Sequence, residues 1–242
     1  MKQEKFQFKD IVWKDFSLIV IFIVTMFILS NVSIVYGTFY LEERSESSDM
    51  LLSSLAQLLA YVVTIFCFYF LHWHDFEPRF KANAYYLKRH VFFLLMIFIT
   101  MFICSYGYNI GVQYLPGDLG FDETQNEREL NILFQNPKFL PFTFLLVVVA
   151  AAFVEEIVFR HLLIGELGKK FNFKVMGVIS AVLFSLMHVT GAESPLEFGS
   201  YFILAIGLVY AYLKSGRKLI SSLSLHMLNN LISFILTIYT LN

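Results

Sequence analysis

Charged residues are scarce in this sequence, and long apolar runs dominate it. Only 15% of the 242 residues are Asp, Glu, Lys or Arg and 57% are hydrophobic, whereas about 25% of a soluble domain is charged. The formal net charge of −1 argues against a nucleic-acid partner, because proteins that bind nucleic acid present a basic surface. The two cysteines, Cys67 and Cys104, fall inside apolar runs, so no disulfide framework is expected. This composition predicts a protein of the lipid bilayer.

Apolar segments of membrane-spanning length recur along the whole chain. A helix needs roughly 20 apolar residues to cross the hydrocarbon core. We therefore predict an all-α, polytopic membrane helix bundle of about seven to eight transmembrane helices, forming a single membrane domain over residues 1–242. The first segment lacks a small-residue cleavage site and is too long for a signal-peptide core, so it should remain a helix. The predicted segments are Phe16–Phe39, Leu51–Trp73, Val91–Leu115, Phe139–Ile164, Val175–Val189, Leu196–Leu213 and Leu219–Tyr239.

The connections between these segments alternate in charge. Acidic clusters separate the basic ones, at 42–49, 118–129 and 193–197. Cytoplasmic connections of membrane proteins carry an excess of Lys and Arg. The N-terminus is therefore predicted to be cytoplasmic, and seven crossings place the C-terminus outside. The basic clusters lie at 2–14, 79–89, 169–174 and 214–218.

Ionisable side chains at membrane depth are concentrated in the second half of the chain. Each costs about 2.5–3.5 kcal/mol on insertion scales, so such residues are functional candidates. The first three predicted helices contain none that are comparable, which places the predicted chemistry in the C-terminal half. The polar candidates are Glu155, Glu156 and Arg160 in the fourth segment, His188 in the fifth, and His226 and Asn230 in the seventh.

Helical spacing separates the two adjacent carboxylates. Residues four apart share a helix face, whereas adjacent residues diverge by about 100°. Glu156 and Arg160 are four apart and are predicted to neutralise each other. Glu155 points elsewhere and has no basic residue at that spacing, so it is the candidate base.

The same spacing groups the polar residues of the later segments. His226 and Asn230 are four apart and should present two polar groups to one place. Phe184 and His188 also share a face, so the phenyl ring can wall the imidazole. Phe184 is therefore predicted to be a supporting residue.

The stretch GAESPLE follows the fifth segment and should border the site or its entrance. His188 lies about 20 Å from the inner end of its segment, whereas Glu155 lies about 13 Å from the inner end of the fourth segment. This difference predicts that GAESPLE begins below the outer surface. Ser194 is predicted as an N-cap, Pro195 as the first helical residue and Glu197 as the capping partner.

Such a set of polar groups in a shielded pocket suits amide hydrolysis. Glu155 with His188 can hold and deprotonate a water molecule, while His226 and Asn230 donate hydrogen bonds to the developing oxyanion. Alternatively, Glu155, His188 and His226 can ligate a zinc ion whose bound water attacks. Spacing does not decide between these two chemistries.

Three motifs in this half resemble those of a known family. EEIVFR fits EExxxR, FSLMH fits FxxxH and HMLNN fits HxxxN. Their order resembles the CAAX-protease and bacteriocin-processing (CPBP, or Abi) family of intramembrane proteases. The resemblance covers roughly residues 140–235, the expected catalytic core, whereas the helices and loops of 1–138 match only in being hydrophobic. It implies an all-α membrane fold and endopeptidase activity.

The resemblance also implies a role for each motif residue. Glu155 and His188 would activate water, His226 and Asn230 would stabilise the oxyanion, and Glu156 and Arg160 would support them. The family is catalogued as metalloproteases, yet a metal-free glutamate mechanism has been argued for some members. The prediction adopted is therefore no cofactor, with zinc held by Glu155, His188 and His226 as the alternative.

The predicted partners are the lipid bilayer and a hydrophobic peptide or membrane-protein substrate. Bacterial members of the family resemble this chain in size, so a multi-pass protein of a bacterial plasma membrane is expected, acting in peptide-pheromone or bacteriocin maturation or in self-immunity. Other intramembrane proteases fit worse, because the sequence has no GxSG, no HExxH and no Asp inside a predicted helix.

Two readings from other classes remain open. The protein would be non-catalytic if it served as a bacteriocin-immunity or membrane scaffold protein. A transporter would bind its cargo with the same polar residues, but no inverted repeat is visible in the sequence. The sequence does not predict the oligomeric state.

Overall fold

The structure, a computed structural model, describes residues 7–41, 45–116 and 119–241. These residues are helical throughout, with short connections and no β-strand among them. Six charged residues used to predict the topology, Lys2, Lys5, Glu42, Glu43, Arg44 and Asp118, lie outside the described ranges. The helices are α1 (Ser17–Tyr40), α2 (Glu46–Leu71), α3 (Phe76–Gln113), α4 (Gln125–Phe134), α5 (Pro137–Phe171), α6 (Phe173–His188), α7 (Glu197–Lys214) and α8 (Leu219–Leu241).

All seven predicted segments coincide with helices, which confirms the polytopic helical fold. Among the described residues, five helices are long and apolar enough to cross a membrane: α1, α2, α3, α5 and α8. With 16 residues, α6 is apolar but shorter. Together with the 18-residue α7, it corresponds to the two short segments predicted from the sequence.

Helix α3 begins well before the predicted segment. The sequence placed its start at Val91 and treated the basic cluster at 79–89 as a loop, which is wrong, because the helix already begins at Phe76. Pro78 lies in the first turn, where its missing N–H is tolerated, and Ala, Leu, Lys and Arg in the following turns are strong helix formers. With 38 residues, α3 is about 57 Å long, against a hydrocarbon core of about 30 Å.

The polar insertion 116–138 also contains a helix that the sequence analysis missed. Helix α4 begins just after Thr124, whose Oγ1 accepts a hydrogen bond from the Glu127 N–H at 3.3 Å, while Glu127 Oε2 accepts from the Thr124 N–H at 3.0 Å. This reciprocal pair is a capping box. The sequence signal, TQNE at 124–127, was present but was overlooked.

The chain divides into two compact units. The first comprises Met1–Val12, Pro78–Glu129 and Glu156–His226, and the second comprises Trp13–Glu77, Leu130–Glu155 and Met227–Asn242. The boundaries cut through α5 between Glu155 and Glu156 and through α8 between His226 and Met227. The assignment of 1–242 to a single membrane domain stays a prediction.

In the first unit, α6 packs against α7 and against the second part of α5. The buried centre consists of Phe159, Ala181, Phe184 and Ala205. Ser180, which is fully buried, donates a hydrogen bond to the Phe159 carbonyl at 2.7 Å. This bond links a side chain of α6 to the backbone of α5 at membrane depth, where an unmet polar group is costly.

Helices α3 and α7 approach each other closely in the same unit. Gly199 and Gly207 of α7 face Tyr108 and Met101 of α3 so closely that neither position has room for a Cβ atom. The Tyr108 hydroxyl donates a hydrogen bond to the Leu196 carbonyl at 2.8 Å. Small residues at such crossings let helix backbones approach within a membrane.

In the second unit, α1 packs along α2, and α2 packs against the first part of α5. The buried Tyr61 of α2 stacks on Phe22 with ring centroids 5.4 Å apart. It shares a hydrophobic cluster with Leu146, Ala150 and Val154 of α5. Tyr61 therefore lies beside the turn of α5 that leads into Glu155.

Candidate active site

The two adjacent carboxylates occupy a short α-helical turn between two π-helical stretches. The turn is Ala152–Glu156, and the π-helical stretches are Phe144–Ala151 and Ile157–Glu166. A π-helix pairs residues five apart and is rare, and it occurs frequently at functional sites. Nothing in the apolar pattern of α5 predicted this backbone.

Glu156 and Arg160 form the ion pair that their spacing predicts. Glu156 Oε1 lies 3.1 Å from Arg160 Nη1, and both side chains are completely buried. A buried pair of this kind offsets much of the cost of removing two charges from water, whereas either charge alone would be strongly destabilising. The pair thus neutralises the guanidinium at membrane depth.

Glu156 also contacts His226. His226 Nδ1 lies 3.1 Å from Glu156 Oε1, and the imidazole is almost fully buried. Because an ionised carboxylate only accepts hydrogen bonds, Nδ1 carries the hydrogen and Nε2 is directed to other partners. The fully buried Ser222 lies close to the Glu156 carboxylate, and its hydroxyl donates a hydrogen bond to the Leu219 carbonyl at 3.3 Å. Ser222 was missed, although it lies four residues before His226 on the same helix.

Phe184 lies at the centre of this cluster. Its ring is completely buried, and the Arg160 guanidinium lies over it at 4.7 Å from the centroid. The His188 and His226 rings lie on it with centroid distances of 4.4 and 5.7 Å. The aromatic ring therefore walls His188, as predicted, and also packs against the cation and the second imidazole.

His188 is held by its own helix and by α7. Its Nδ1 lies 2.8 Å from the Phe184 carbonyl oxygen. A carbonyl only accepts, so Nδ1 donates and Nε2 of the neutral ring can accept. Tyr201 of α7 stacks on the imidazole at 4.8 Å, and its hydroxyl lies 2.9 Å from Thr124 Oγ1. Tyr201 carried no sequence signal.

The turn before α7 is fastened by a buried carboxylate. Glu197 is 1% exposed and accepts hydrogen bonds from the backbone N–H groups of Gln125, Glu193 and Ser194 at 2.9, 3.2 and 3.3 Å. The predicted contact between Glu197 and the Ser194 N–H is present. The predicted helix start is wrong, because α7 begins at Glu197 with Leu196 as its N-cap. The Ser194 hydroxyl donates to the Leu119 carbonyl at 2.8 Å and accepts from the N–H of Leu196 at 3.1 Å, in the turn that precedes α7.

In the second unit, Glu155 is half-buried and lies near Tyr61. Gln57 Nε2 donates a hydrogen bond to the Tyr61 hydroxyl oxygen at 2.9 Å. The Tyr61 O–H therefore remains available as a donor. The Glu155 carboxylate is close enough to act on Tyr61 electrostatically. Gln57 and Tyr61 were not predicted as site residues, because α2 carries no motif and its contact with α5 arises only in the fold.

Asn230 contacts the π-helical stretch of the second unit. Its Nδ2 donates a hydrogen bond to the Val147 carbonyl at 2.9 Å. Asn229 Nδ2 lies 3.4 Å from Asn230 Oδ1, so the amide is oriented by contacts at both its nitrogen and its oxygen. An oriented amide is the kind of group that can serve as a fixed hydrogen-bond donor.

The predicted site residues are thus distributed over both units. The structure brings together Glu156, Arg160, Phe184, His188 and His226 in the first unit. Glu155 and Asn230 belong to the second unit.

Comparison with known protein families identifies this part of the chain. Residues 137–232 match the family described as type II CAAX prenyl endopeptidase Rce1-like. This region belongs to the CAAX-protease family. The match confirms the resemblance deduced from the three motifs, and the CAAX-protease region contains all seven predicted site residues. No curated protein and no solved structure matches the chain.

The match bears on the activity and on the location of the protein. The matched family is one of peptidases, so the match of residues 137–232 supports a CAAX-protease-like intramembrane endopeptidase. Its apolar helices make it a multi-pass membrane protein.

Proposed function

We propose that the chain hydrolyses peptide bonds of membrane-associated peptides or proteins through a water molecule activated by Glu155 and His188. The carrying observation is the way both histidines are held. His188 and His226 each have Nδ1 engaged, by the Phe184 carbonyl and by Glu156 respectively. These contacts fix the tautomer and the orientation of each ring, which is how proteins commonly hold a working imidazole.

The reaction follows from these roles. The water oxygen forms a bond to the carbonyl carbon of the scissile peptide while Glu155 takes its proton. His188 Nε2 accepts a hydrogen bond from the same water and orients it. The C–N bond then breaks, and the proton passes from Glu155 to the leaving amine nitrogen.

Asn230 and His226 stabilise the negative charge that develops on the carbonyl oxygen. Asn230 donates through its amide nitrogen. His226 donates through Nε2 when the ring is protonated, and the carboxylate of Glu156, which already accepts from Nδ1, provides the compensating charge. Glu156, Arg160 and Phe184 act by positioning His226, since they contact that ring or its partner.

The residue types of the predicted set are also ones that bind zinc. Two imidazole Nε2 atoms and one carboxylate are typical ligands of catalytic zinc, and the His226–Glu156 contact is the outer-sphere arrangement common to zinc-bound histidine. Zinc would be held by Glu155, His188 and His226, and it would polarise the attacking water. We propose the metal-free route and keep zinc as the alternative that the experiment below resolves.

We further propose a bacterial plasma membrane as the location. There the substrate would be a hydrophobic peptide or membrane protein, and the role would be pheromone or bacteriocin maturation or self-immunity. Resemblance to bacterial members of the family supports this assignment.

The test is cleavage of a fluorogenic library of hydrophobic peptides by the purified full-length protein in detergent. Glu155→Gln and His226→Ala are compared with wild type and with Glu46→Gln, a change at an exposed carboxylate in the first turn of α2. Loss of a general base should lower kcat by about 10²–10⁴-fold, while Glu46→Gln should cleave normally.

A chelator arm separates the two chemistries. Cleavage that survives the chelator supports the metal-free route, whereas cleavage that is lost and then restored by zinc supports the metal route. If no form cleaves, and both site variants still function in cells, the protein is a non-catalytic immunity or scaffold protein.

A further inference from the structure

A cleft of about 410 Å³ lies in the first unit between the N-terminal half of α3 and the start of α8. It is separate from the candidate active site, since none of its lining residues belongs to the three motifs. Two of its six lining residues are tyrosines, two are basic and one is a histidine. The lining residues are Ala82, Tyr85, Tyr86, Arg89, His90 and Lys218.

The cleft is electropositive. Arg89 and Lys218 both line it, and no carboxylate does. Over residues 7–41, 45–116 and 119–241, neither cation forms an ion pair. Arg89 Nη1 donates a hydrogen bond to the Tyr85 hydroxyl at 3.1 Å, which holds the guanidinium on the cleft wall but leaves its charge uncompensated. Both positive charges are thus available to an anion.

One aromatic side of the cleft is rigid. Tyr86 is only 7% exposed, and its ring stacks on His90 with a centroid distance of 4.2 Å. His90 Nδ1 lies 3.0 Å from the Tyr86 carbonyl oxygen, so Nε2 is directed away from the backbone. Lys218 Nζ lies 5.9 Å from the centre of the Tyr86 ring. The Tyr86 ring therefore neighbours both the His90 imidazole and the Lys218 ammonium group at the cleft.

The depth of the cleft follows from the sequence on either side of it. Arg89 lies just before the apolar run that begins at Val91, and Lys218 lies immediately before the one that begins at Leu219. Cationic and aromatic side chains at the ends of membrane-spanning apolar runs lie at the level of the lipid headgroups. Both cations also come from clusters predicted to be cytoplasmic, where the leaflet is anionic. The fold thus joins two separate basic clusters at one point of the membrane surface.

We propose that this cleft binds the phosphate-bearing headgroup of an anionic phospholipid of the inner leaflet. The guanidinium of Arg89 offers paired N–H donors to phosphate oxygens, and Lys218 adds a second charge from α8. Tyr85 and His90 offer further polar groups, and the apolar runs that start beside them leave the acyl chains in the hydrocarbon. This role is independent of the proposed peptide hydrolysis.

The test is native mass spectrometry of the full-length protein titrated in detergent with phosphatidylglycerol or phosphatidylcholine. The variants are Arg89→Gln, Lys218→Gln and their combination. Each has a matched control that removes a neighbouring positive charge outside the cleft: Lys88→Gln for Arg89 and Lys214→Gln for Lys218. Arg89→Lys, which keeps the charge but loses the paired donors, should bind with an affinity between those of wild type and Arg89→Gln.

We expect wild type to prefer phosphatidylglycerol, each cleft variant to bind it roughly 5-fold more weakly, and the combination roughly 30-fold more weakly. The controls should bind within about 2-fold of wild type. Equal loss in the controls, or equal binding of phosphatidylcholine, overturns the proposal. Displacement of the lipid by millimolar inorganic phosphate also overturns it, because the ligand would then be a soluble phosphate. Thermal unfolding in phosphatidylcholine verifies that each variant is folded.

Discussion

Oε1 of Glu156 lies 3.1 Å from Arg160 Nη1 and 3.1 Å from His226 Nδ1. One carboxylate oxygen therefore serves both a buried cation one turn further along α5 and an imidazole on α8. All three side chains are withdrawn from solvent. Glu156 and Arg160 of the EExxxR motif thus form one connected cluster with His226 of the HxxxN motif.

Replacing Glu156 by Gln should destabilise the protein by about 3–5 kcal/mol, because Arg160 would remain buried without its counter-charge. The measurement is the unfolding free energy in detergent, followed by a helix-sensitive signal. The combined change Glu156→Gln with Arg160→Gln should recover part of this loss, since removing both charges leaves no buried unpaired ion. Equal destabilisation by the single and the combined variants would contradict this account.

Replacing Tyr61 by Phe should lower kcat roughly 10-fold with little change in KM. The ring and its stacking on Phe22 are kept, so only the hydroxyl near Glu155 is lost, and one hydrogen bond of about 1.4 kcal/mol corresponds to a factor of ten. Steady-state kinetics on the best library peptide measures the effect. Tyr69→Phe, which removes a hydroxyl from the same helix near Trp73 and Phe76, should leave kcat unchanged. If Tyr61→Phe changes only the unfolding free energy, Tyr61 is a packing residue.

Replacing Glu197 by Gln should loosen the turn before α7. The carboxylate accepts three backbone N–H groups, and hydrogen bonds to charged groups are strong, so a loss of about 2–3 kcal/mol is expected. Limited proteolysis should show new cleavage around residues 190–196. Glu193→Gln is the matched control, because its ion pair with Arg128 at 3.2 Å is exposed and should contribute little. Equal protection of both variants would show that Glu197 does not fasten the turn.

Replacing Gly207 by Ala should weaken the crossing of α3 and α7. A methyl group there would overlap the side chain of Met101, and overpacking costs about 1–3 kcal/mol. Gly107→Ala adds the same group where nothing lies within 4 Å, and it should be neutral or stabilising because alanine favours a helix. The measurement compares the thermal unfolding midpoints of the Gly207→Ala and Gly107→Ala proteins. A Gly207→Ala protein as stable as the Gly107→Ala protein would refute the close crossing.

The sequence predicted those features that depend on local periodicity. Apolar runs located the seven helical segments, and the four-residue spacing of Glu156 and Arg160 predicted their ion pair. The basic turns at the start of α3 were mistaken for a loop because hydropathy detects the apolar part of a helix and not its charged extension.

Contacts between distant helices were beyond the reach of the sequence. Tyr61 and Tyr201 lie far along the chain from the residues they approach, and no motif marks them. Ser222 is different, since its spacing from His226 was visible but was not used. The π-helical stretches in α5 left no periodic signature, because almost every residue there is apolar.

The π-helical stretch Phe144–Ala151 limits how the length of this part of the chain can change without moving Glu155. Because successive helical residues are about 100° apart, deleting one residue from the stretch would rotate Glu155 by that angle relative to Pro137–Thr143. Insertions and deletions elsewhere, as in the connection 135–136, would leave that angle unchanged. Natural relatives should therefore keep the length of this stretch constant even where every apolar side chain in it has been exchanged.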